Sequence, residues 1–282
     1  MAYKVKSRTI GEANMPWKAI EYPAIASIKY DGRNTIVHKK GNKITYETSG
    51  GKEFLLVNNE PFDQLPDGHF FTEMLGNGIE GKLGDRIHSG IQTSCVSNTS
   101  KGLPNHHKPN WKVFSYLNNE DYTNDKSSER YHAILSRIGQ WDNSLGTDFC
   151  PQYMVIQNEY QLKLYYAQVL SDGWEGLMVS SADQRWDNST SRLKTLCKLK
   201  GRYTMKGTCI NTTDGEGKYT NMIGSLLIEL ENGLLVLVGS GLTDHERNTG
   251  DFIGRVIEFE YEQLSKDGIP LQPTYIAIRE AL

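Results

Sequence analysis

Through much of the chain apolar and polar positions alternate with the period of two that marks strands with one buried face. Ala24, Ile25, Ala26 and Ile28 form an apolar run that ends at Lys29, and a β-branched run, Thr35-Ile36-Val37, follows Tyr30-Asp31-Gly32. This spacing predicts a hairpin-like strand, turn, strand unit with Lys29 at the end of its first strand. Further strands are predicted at 35–38 and 43–47 around a Gly41-Asn42 turn, at 70–75 after Asp67-Gly68, at 112–117, and from Glu175-Gly176 onward after Asp172-Gly173. Helical spacing occurs twice. Tyr131, Ile134, Leu135 and Ile138 predict a helix over 127–138 capped by Ser127, and Leu162, Tyr165, Tyr166 and Val169 predict one over 159–170. Residues 76–110, rich in glycine, serine and asparagine, show neither period clearly.

Beyond Tyr203 the pattern becomes all-β. Residues 205–211 alternate, 226–230 and 234–238 flank a Glu231-Asn232-Gly233 hairpin turn, and Ile257, Phe259 and Tyr261 alternate with Glu258, Glu260 and Glu262. Thr243-Asp244-His245-Glu246 has the form of a capping box that opens a short helix. A last strand follows the Asp267-Gly268 turn. A small barrel of about five strands and one helix accounts for this region.

Composition narrows the class. A chain of 282 residues with 38% hydrophobic and 23% charged side chains has the make-up of a soluble globular protein and room for two domains. Net charge is only -3, but residues 1–202 hold 25 basic and 22 acidic side chains while 203–282 hold 6 and 12. A polyanion would be held mainly by the first part and its border. The four cysteines, Cys95, Cys150, Cys197 and Cys209, show no C-x-x-C spacing, which speaks against zinc and disulfides and for a reducing, cytoplasmic compartment. No apolar leader or membrane-length run is present.

Several residues carry candidate chemistry. A lysine walled by apolar neighbours and flanked by cations loses its proton more readily than one in water, where only about a thousandth is free amine at neutral pH. Lys29 is therefore a candidate nucleophile. Glu73 is a lone carboxylate on an apolar strand and calls for a ligand, metal or cation beside it. Glu175, followed by glycine and close to Asp172, suggests a hard-cation site. Lys198 and Lys200 share one strand face and repel unless an anion lies between them. Residues 188–213 contain no acidic side chain, so Arg192, Lys194, Arg202 and Lys206 are candidates for nucleic-acid phosphates. His106-His107 reads as loop surface, because adjacent residues of a strand cannot aim at one metal.

The order of these segments, Lys29-Tyr30-Asp31-Gly32, Glu73, Phe114, Glu175-Gly176 and Lys198-Leu199-Lys200, resembles the ATP-dependent DNA ligases, within the covalent nucleotidyltransferases that also include RNA ligases and capping enzymes. With 28 residues before Lys29 the resemblance is to the minimal, phage-like form. It implies an α+β fold: a nucleotidyltransferase (adenylation) domain over 1–202, of ATP-grasp-like antiparallel sheets with packed helices, then an all-β OB-fold domain over 203–282. By the same resemblance Lys29 is the catalytic nucleophile. Asp31, Arg33, Glu73, Phe114, Lys198, Lys200 and Arg279 bind ATP, with Phe114 stacking on the purine, and Glu175 and Glu73 serve the metal.

Implied cofactors are ATP and Mg²⁺, with Mn²⁺ as a substitute. The implied partner is nicked duplex DNA, met by a monomer in the cytoplasm (of the host, if phage-encoded) during DNA replication or repair, with no membrane involved. Asn34 stands where the family has arginine, with Arg33 as a substitute, and Ser49 stands where a second arginine is usual. Ser115 replaces the aspartate that commonly follows the aromatic. The ending Arg279-Glu280-Ala281-Leu282 shortens the sixth motif, so self-adenylation is the step expected to be unusual. An RNA ligase, a capping-type nucleotidyltransferase and a non-catalytic nick-binding protein are the alternatives.

Overall fold

The computed structural model describes residues 7–10, 20–82, 87–124, 126–187, 193–265 and 267–279. The chain divides into two compact units, Met1–Lys200 and Gly201–Leu282. The first is built on two five-stranded sheets. In one the strands lie in the order Ser7–Ile10, Leu193–Lys200, Gly176–Ser181, Ala24–Lys29, Tyr153–Ile156. Their alternation separates two faces. Ala24, Ala26, Ile28, Leu177, Val179, Cys197 and Leu199 are buried in one core with Leu162, Tyr166 and Val169 of the helix Glu159–Ser171. Ser27, Lys29, Met178, Lys198 and Lys200 occupy the opposite face. The sheet is antiparallel, as expected, except that Ser7–Ile10 runs parallel to Leu193–Lys200.

The second sheet, fully antiparallel, runs Glu53–Phe54, Lys43–Thr48, Arg33–Lys40, Gly68–Leu75, Asn110–Leu117. One of its faces buries Val37, Tyr46, Phe70, Met74, Trp111 and Val113 with Ile134, Leu135 and Ile138 of the helix Tyr131–Leu145. At roughly 25 cal/mol per Å² of apolar surface, this aromatic-rich layer stabilises the unit more than any ion pair on it.

Three expectations are corrected. The predicted hairpin at Lys29 is not one: Ala24–Lys29 and Arg33–Lys40 belong to different sheets, and Tyr30-Asp31-Gly32 carries the chain between them. The Asp31 N–H finds its acceptor outside, at the Gly81 carbonyl 2.8 Å away. The helix predicted from Ser127 begins at Tyr131. Lys126–Arg130 instead pairs with Arg185–Asp187, a long-range partner that local spacing cannot reveal. The buried Ser127 hydroxyl satisfies the Glu129 backbone and caps nothing. Finally, the unassigned stretch contains the helix Ile87–Ser100, which carries only a few apolar positions such as Ile91, Cys95 and Val96. Asn105 moors it by donating to the carbonyls of Cys95 at 3.1 Å and Leu55 at 2.7 Å.

The second unit is a five-stranded sheet in the order Leu235–Val238, Ile223–Glu229, Tyr203–Asp214, Val256–Tyr261, Thr274–Arg279. Just past the first of these strands Ser240 bridges to Thr274 on the last, which closes the sheet on itself. Leu226, Ile228, Val236, Val238, Phe252, Ile257 and Phe259 fill the interior. The short helix Asp244–Thr249 has the reciprocal Thr243–Glu246 capping box predicted for it. Among the described residues no helix is long and apolar enough to cross a membrane.

Candidate active site

Lys29 ends its strand directly opposite Gly176, and Gly176 is in turn opposite Lys200 on the other side. The two lysines therefore flank one glycine on a common face, and Glu175, the residue before that glycine, lies between them. Its carboxylate accepts from Lys29 through Oε2 and lies 2.8 Å from the Lys200 ammonium through Oε1. All three side chains are largely buried, with 16%, 9% and 18% of their surface exposed for Lys29, Glu175 and Lys200. Burial pushes the Glu175 carboxyl up, but Lys29 and Lys200 together overcome this and hold it below the ordinary carboxylate value. The anion that the paired lysines call for is thus supplied by the protein. Gly176 is required on steric grounds: with φ at +147°, a Cβ there would fall on the Leu199 carbonyl oxygen.

Lys198, two residues before Lys200, shares their face. Burial first, then Lys29 and Lys200, depresses its affinity for a proton. From the second sheet Glu73 approaches the same group. Burial pushes its carboxyl up to about 7, an effect that Lys29 opposes, Glu175 adds to, Lys198 opposes and Asp31 adds to. Gly32 permits the approach of the two sheets, since a Cβ there would lie 2.6 Å from Cγ of Glu73. Lys29, Asp31, Glu73, Glu175, Lys198 and Lys200, drawn from four segments of the sequence, are thereby brought into one electrostatic cluster.

The register also decides which neighbour stands beside Glu73. Asn34 is opposite Glu73 and Arg33 opposite Met74, so alternation sends Arg33 toward the other face. Arg33 is exposed at the start of its strand. Ser49 sits exposed in the turn after Lys43–Thr48. Phe114 is the extra residue where the register of Asn110–Leu117 shifts against Gly68–Leu75. It packs beside Phe71 and Ile36, which alternate with Glu73 and Asn34 on one face of the sheet. Asp172, expected near Glu175 at a cation site, is exposed and accepts from Gln168 at 2.8 Å at the end of its own helix.

In the second unit Arg202 pairs with Glu260, and Arg279 is 2.6 Å from Glu258, while Lys206 is exposed opposite Glu258. Arg192, the Lys194 side chain and the ending Glu280-Ala281-Leu282 lie outside the described residues. Among the described residues no group of three or more His, Cys, Asp or Glu side chains is arranged to hold a metal by itself. The sequence reading missed Ser27 and Met178, which face each other on adjacent strands and continue the face that carries Lys29 and Lys198. Their positions two residues from Lys29 and from Gly176 were the available signal.

Residues 214–279 match the family model described as DNA ligase OB-like domain. A DNA ligase of Haemophilus influenzae is 28% identical over 120 residues, 43% of this chain and 44% of that protein, so the matched stretch spans less than half of the curated relative. Among solved structures, a Lig E DNA ligase described as binding DNA with a minimal scaffold superposes with a TM-score of 0.72 at 18% identity, covering 91% of this chain and 93% of that one. The ATP-dependent DNA ligase from bacteriophage T7, in complex with ATP, superposes with a TM-score of 0.55 at 14% identity, covering 98% of each chain. In its fold the chain is similar to the minimal ATP-dependent DNA ligases, and over residues 214–279 it is similar to the OB-like domain of DNA ligases.

Proposed function

We propose that this protein is an ATP-dependent DNA ligase that seals nicks in duplex DNA, with residues 1–202 as its adenylation domain and 203–282 as its OB-fold domain. The observation that carries the reading is the convergence of Lys29, Lys198 and Lys200 on one sheet face around the Glu175 carboxylate. Structural lysines are seldom crowded in this way, because each buried ammonium is costly without an anion. Three lysines from two strands on one face, with Lys29 at the start of a turn, suit attack on a phosphate.

In the first step the Lys29 amine forms a bond to the α-phosphorus of ATP as the bond to the β-phosphate oxygen breaks, giving lysyl-AMP and pyrophosphate. Lys198 and Lys200 hold the α-phosphate oxygens and offset the charge that gathers on them. Glu175 holds the Lys29 ammonium before ATP arrives; the ammonium gives up one proton to solvent to become the attacking amine, and a second proton leaves the nitrogen for solvent as the N–P bond forms. AMP then passes to the 5′-phosphate of the nick, and the neighbouring 3′-OH displaces it to join the strand. Phe114, beside Phe71 on the face that carries Glu73, provides a ring for the purine.

The carboxylates of Glu73 and Glu175 are hard oxygen donors of the kind Mg²⁺ takes one or two of. Glu73 fits this role because its raised proton affinity marks a place where one more positive charge is favoured. Held by them, Mg²⁺ would supply further neutralisation of the phosphates. Arg192, Lys194 and Lys206 are proposed contacts to DNA phosphates, and Arg202 joins them by leaving Glu260. A protein with this chemistry acts in the cytoplasm on nicks left by replication or repair.

The reading is tested by sealing assays on nicked DNA and nicked RNA duplexes with ATP and Mg²⁺. Sealing of DNA, abolished by Lys29→Ala, is the expected result. Sealing of RNA alone would favour the RNA ligase alternative, and full sealing by Lys29→Ala would overturn the mechanism.

A further inference from the structure

The two residues at the centre of the site sit at strand ends, where backbone restraint is weakest. Lys29 is the last residue of Ala24–Lys29, and Glu175 immediately precedes Gly176–Ser181. Their alignment within hydrogen-bonding reach therefore needs a restraint that the ladder alone does not give. Directly after Lys29 comes Tyr30, and directly before Glu175 comes Trp174. These rings meet edge to face, with centroids 5.3 Å apart and planes at 74°.

Each ring is fixed in turn. Tyr30 is 5% exposed, and its hydroxyl accepts from the Gln152 N–H at 3.2 Å, while the Gln152 carbonyl accepts from the Ile28 N–H at 2.9 Å. The Lys112 ammonium stands 5.2 Å from the centroid of the Tyr30 ring and is anchored to Asp148 at 2.9 Å. The Lys82 ammonium stands 5.4 Å from the centroid of the Trp174 ring. Alternation puts Tyr30 on the side of its strand away from Lys29, so the pair clasps the two strand ends from behind while Lys29 and Glu175 meet in front.

We infer that Tyr30 and Trp174 are positioning residues: their edge-to-face contact holds the strand ends together and so sets the Lys29 amine against Glu175 and the incoming α-phosphate. Tyr30 belongs to the buried core of its sheet, half-buried Trp174 packs against the edge of that core, and both rings border a cavity of about 820 Å³. A small misplacement of a nucleophile can cost up to about a hundredfold in rate, far more than the loss of one ring contact costs in stability. This inference deepens the adenylation reading and rests on it for its kinetic consequence, but the positioning itself has a readout that needs no ATP.

The test uses the full chain in three forms: wild type, Trp174→Leu and Trp174→Phe. The first measurement is competitive acetylation of lysines with acetic anhydride at one fixed pH, read peptide by peptide by mass spectrometry. In Trp174→Leu the acetylation of Lys29 relative to exposed lysines such as Lys163 is expected to rise several-fold over wild type, because the amine is no longer held against Glu175, and Trp174→Phe is expected to restore the wild-type ratio. An unchanged Lys29 ratio in Trp174→Leu would overturn the inference even if the protein proved not to be a ligase.

The second measurement is the single-turnover rate of lysyl-AMP formation against ATP concentration. About a tenfold fall in the limiting rate at unchanged half-saturation, rescued by Trp174→Phe, is expected of a positioning role. Loss that follows thermal unfolding, with no rescue by Trp174→Phe, would mark Trp174 as merely structural. A wild type that forms no lysyl-AMP would defeat the ligase reading but leave the acetylation result to decide the positioning claim.

Discussion

Burial holds the Glu73 carboxyl at about 7, against 4.5 for an unperturbed side chain, so folded and unfolded chains bind protons differently between those values. In that window the folded chain holds more protons, so stability falls as pH rises. Glu73→Gln keeps the shape and removes the charge. The variant, free of ligands, is expected to gain on wild type through pH 4.5 to 7, by on the order of 2 kcal/mol at the upper end, with the difference gone in more acid solution. Denaturant melts at pH 4, 6 and 8 check this. A difference that stays flat with pH would mean that Glu73 is not strained by its surroundings. At Gly176, where a methyl group would strike the Leu199 carbonyl and φ is +147°, Gly176→Ala is expected to cost at least about 3 kcal/mol, measured in the same melts. The residue type at this position was legible in the sequence. Its reason was not, because the partner strand lies more than twenty residues away.

At the scale of elements, what could be read early was what local chemistry decides. The Gly41-Asn42 turn, the helix Glu159–Ser171 and the Thr243 capping box follow from neighbours within a few residues. What escaped depends on partners elsewhere in the chain: the strand Lys126–Arg130, which needs Arg185–Asp187, and the helix Ile87–Ser100, which packs Ile91, Cys95 and Val96 on the core and is tied by Asn105 to Leu55. The crossing at Tyr30-Asp31-Gly32 escaped for the same reason, since a hairpin and a sheet-to-sheet connection share turn residues. In the barrel the helix Asp244–Thr249 is tied down by Arg247, which is buried, donates to the carbonyls of Ile223 and Gly224 at 2.7 Å and to Gly239, and stacks over Tyr219. Arg247→Met would leave three acceptors without that donor and is expected to destabilise the barrel by about 3 kcal/mol, while Thr243→Ala costs about 1 kcal/mol. All five tryptophans precede residue 203, so tryptophan fluorescence reports the first unit and hydrogen exchange across Ile223–Glu229 reports the second. Faster exchange there with an unchanged fluorescence melt is the predicted pattern.

For the whole molecule, the candidate site was legible as a set of residues but not as an arrangement. Lys29, Glu73, Glu175, Lys198 and Lys200 could be named from the order of their motifs. That Glu175 would pair with both Lys29 and Lys200 depends on strand register, which spacing along the chain does not give. The charge distribution, basic to residue 202 and acidic after it, predicts that binding to nicked DNA weakens steeply with salt. Replacing Arg192 and Lys194 by alanine is expected to lower the slope of log affinity against log salt by about one for each phosphate no longer neutralised, with similar effect on every DNA sequence, as fluorescence anisotropy would show.

The account stands or falls on the covalent step at Lys29. Intact mass and peptide mapping after incubation with ATP and Mg²⁺, with GTP and NAD as controls, test it directly on protein freed of any prior adduct. The expected result is an AMP adduct formed from ATP, mapped to Lys29 and missing in Lys29→Ala. An adduct on another residue, or none on the wild type, would contradict it.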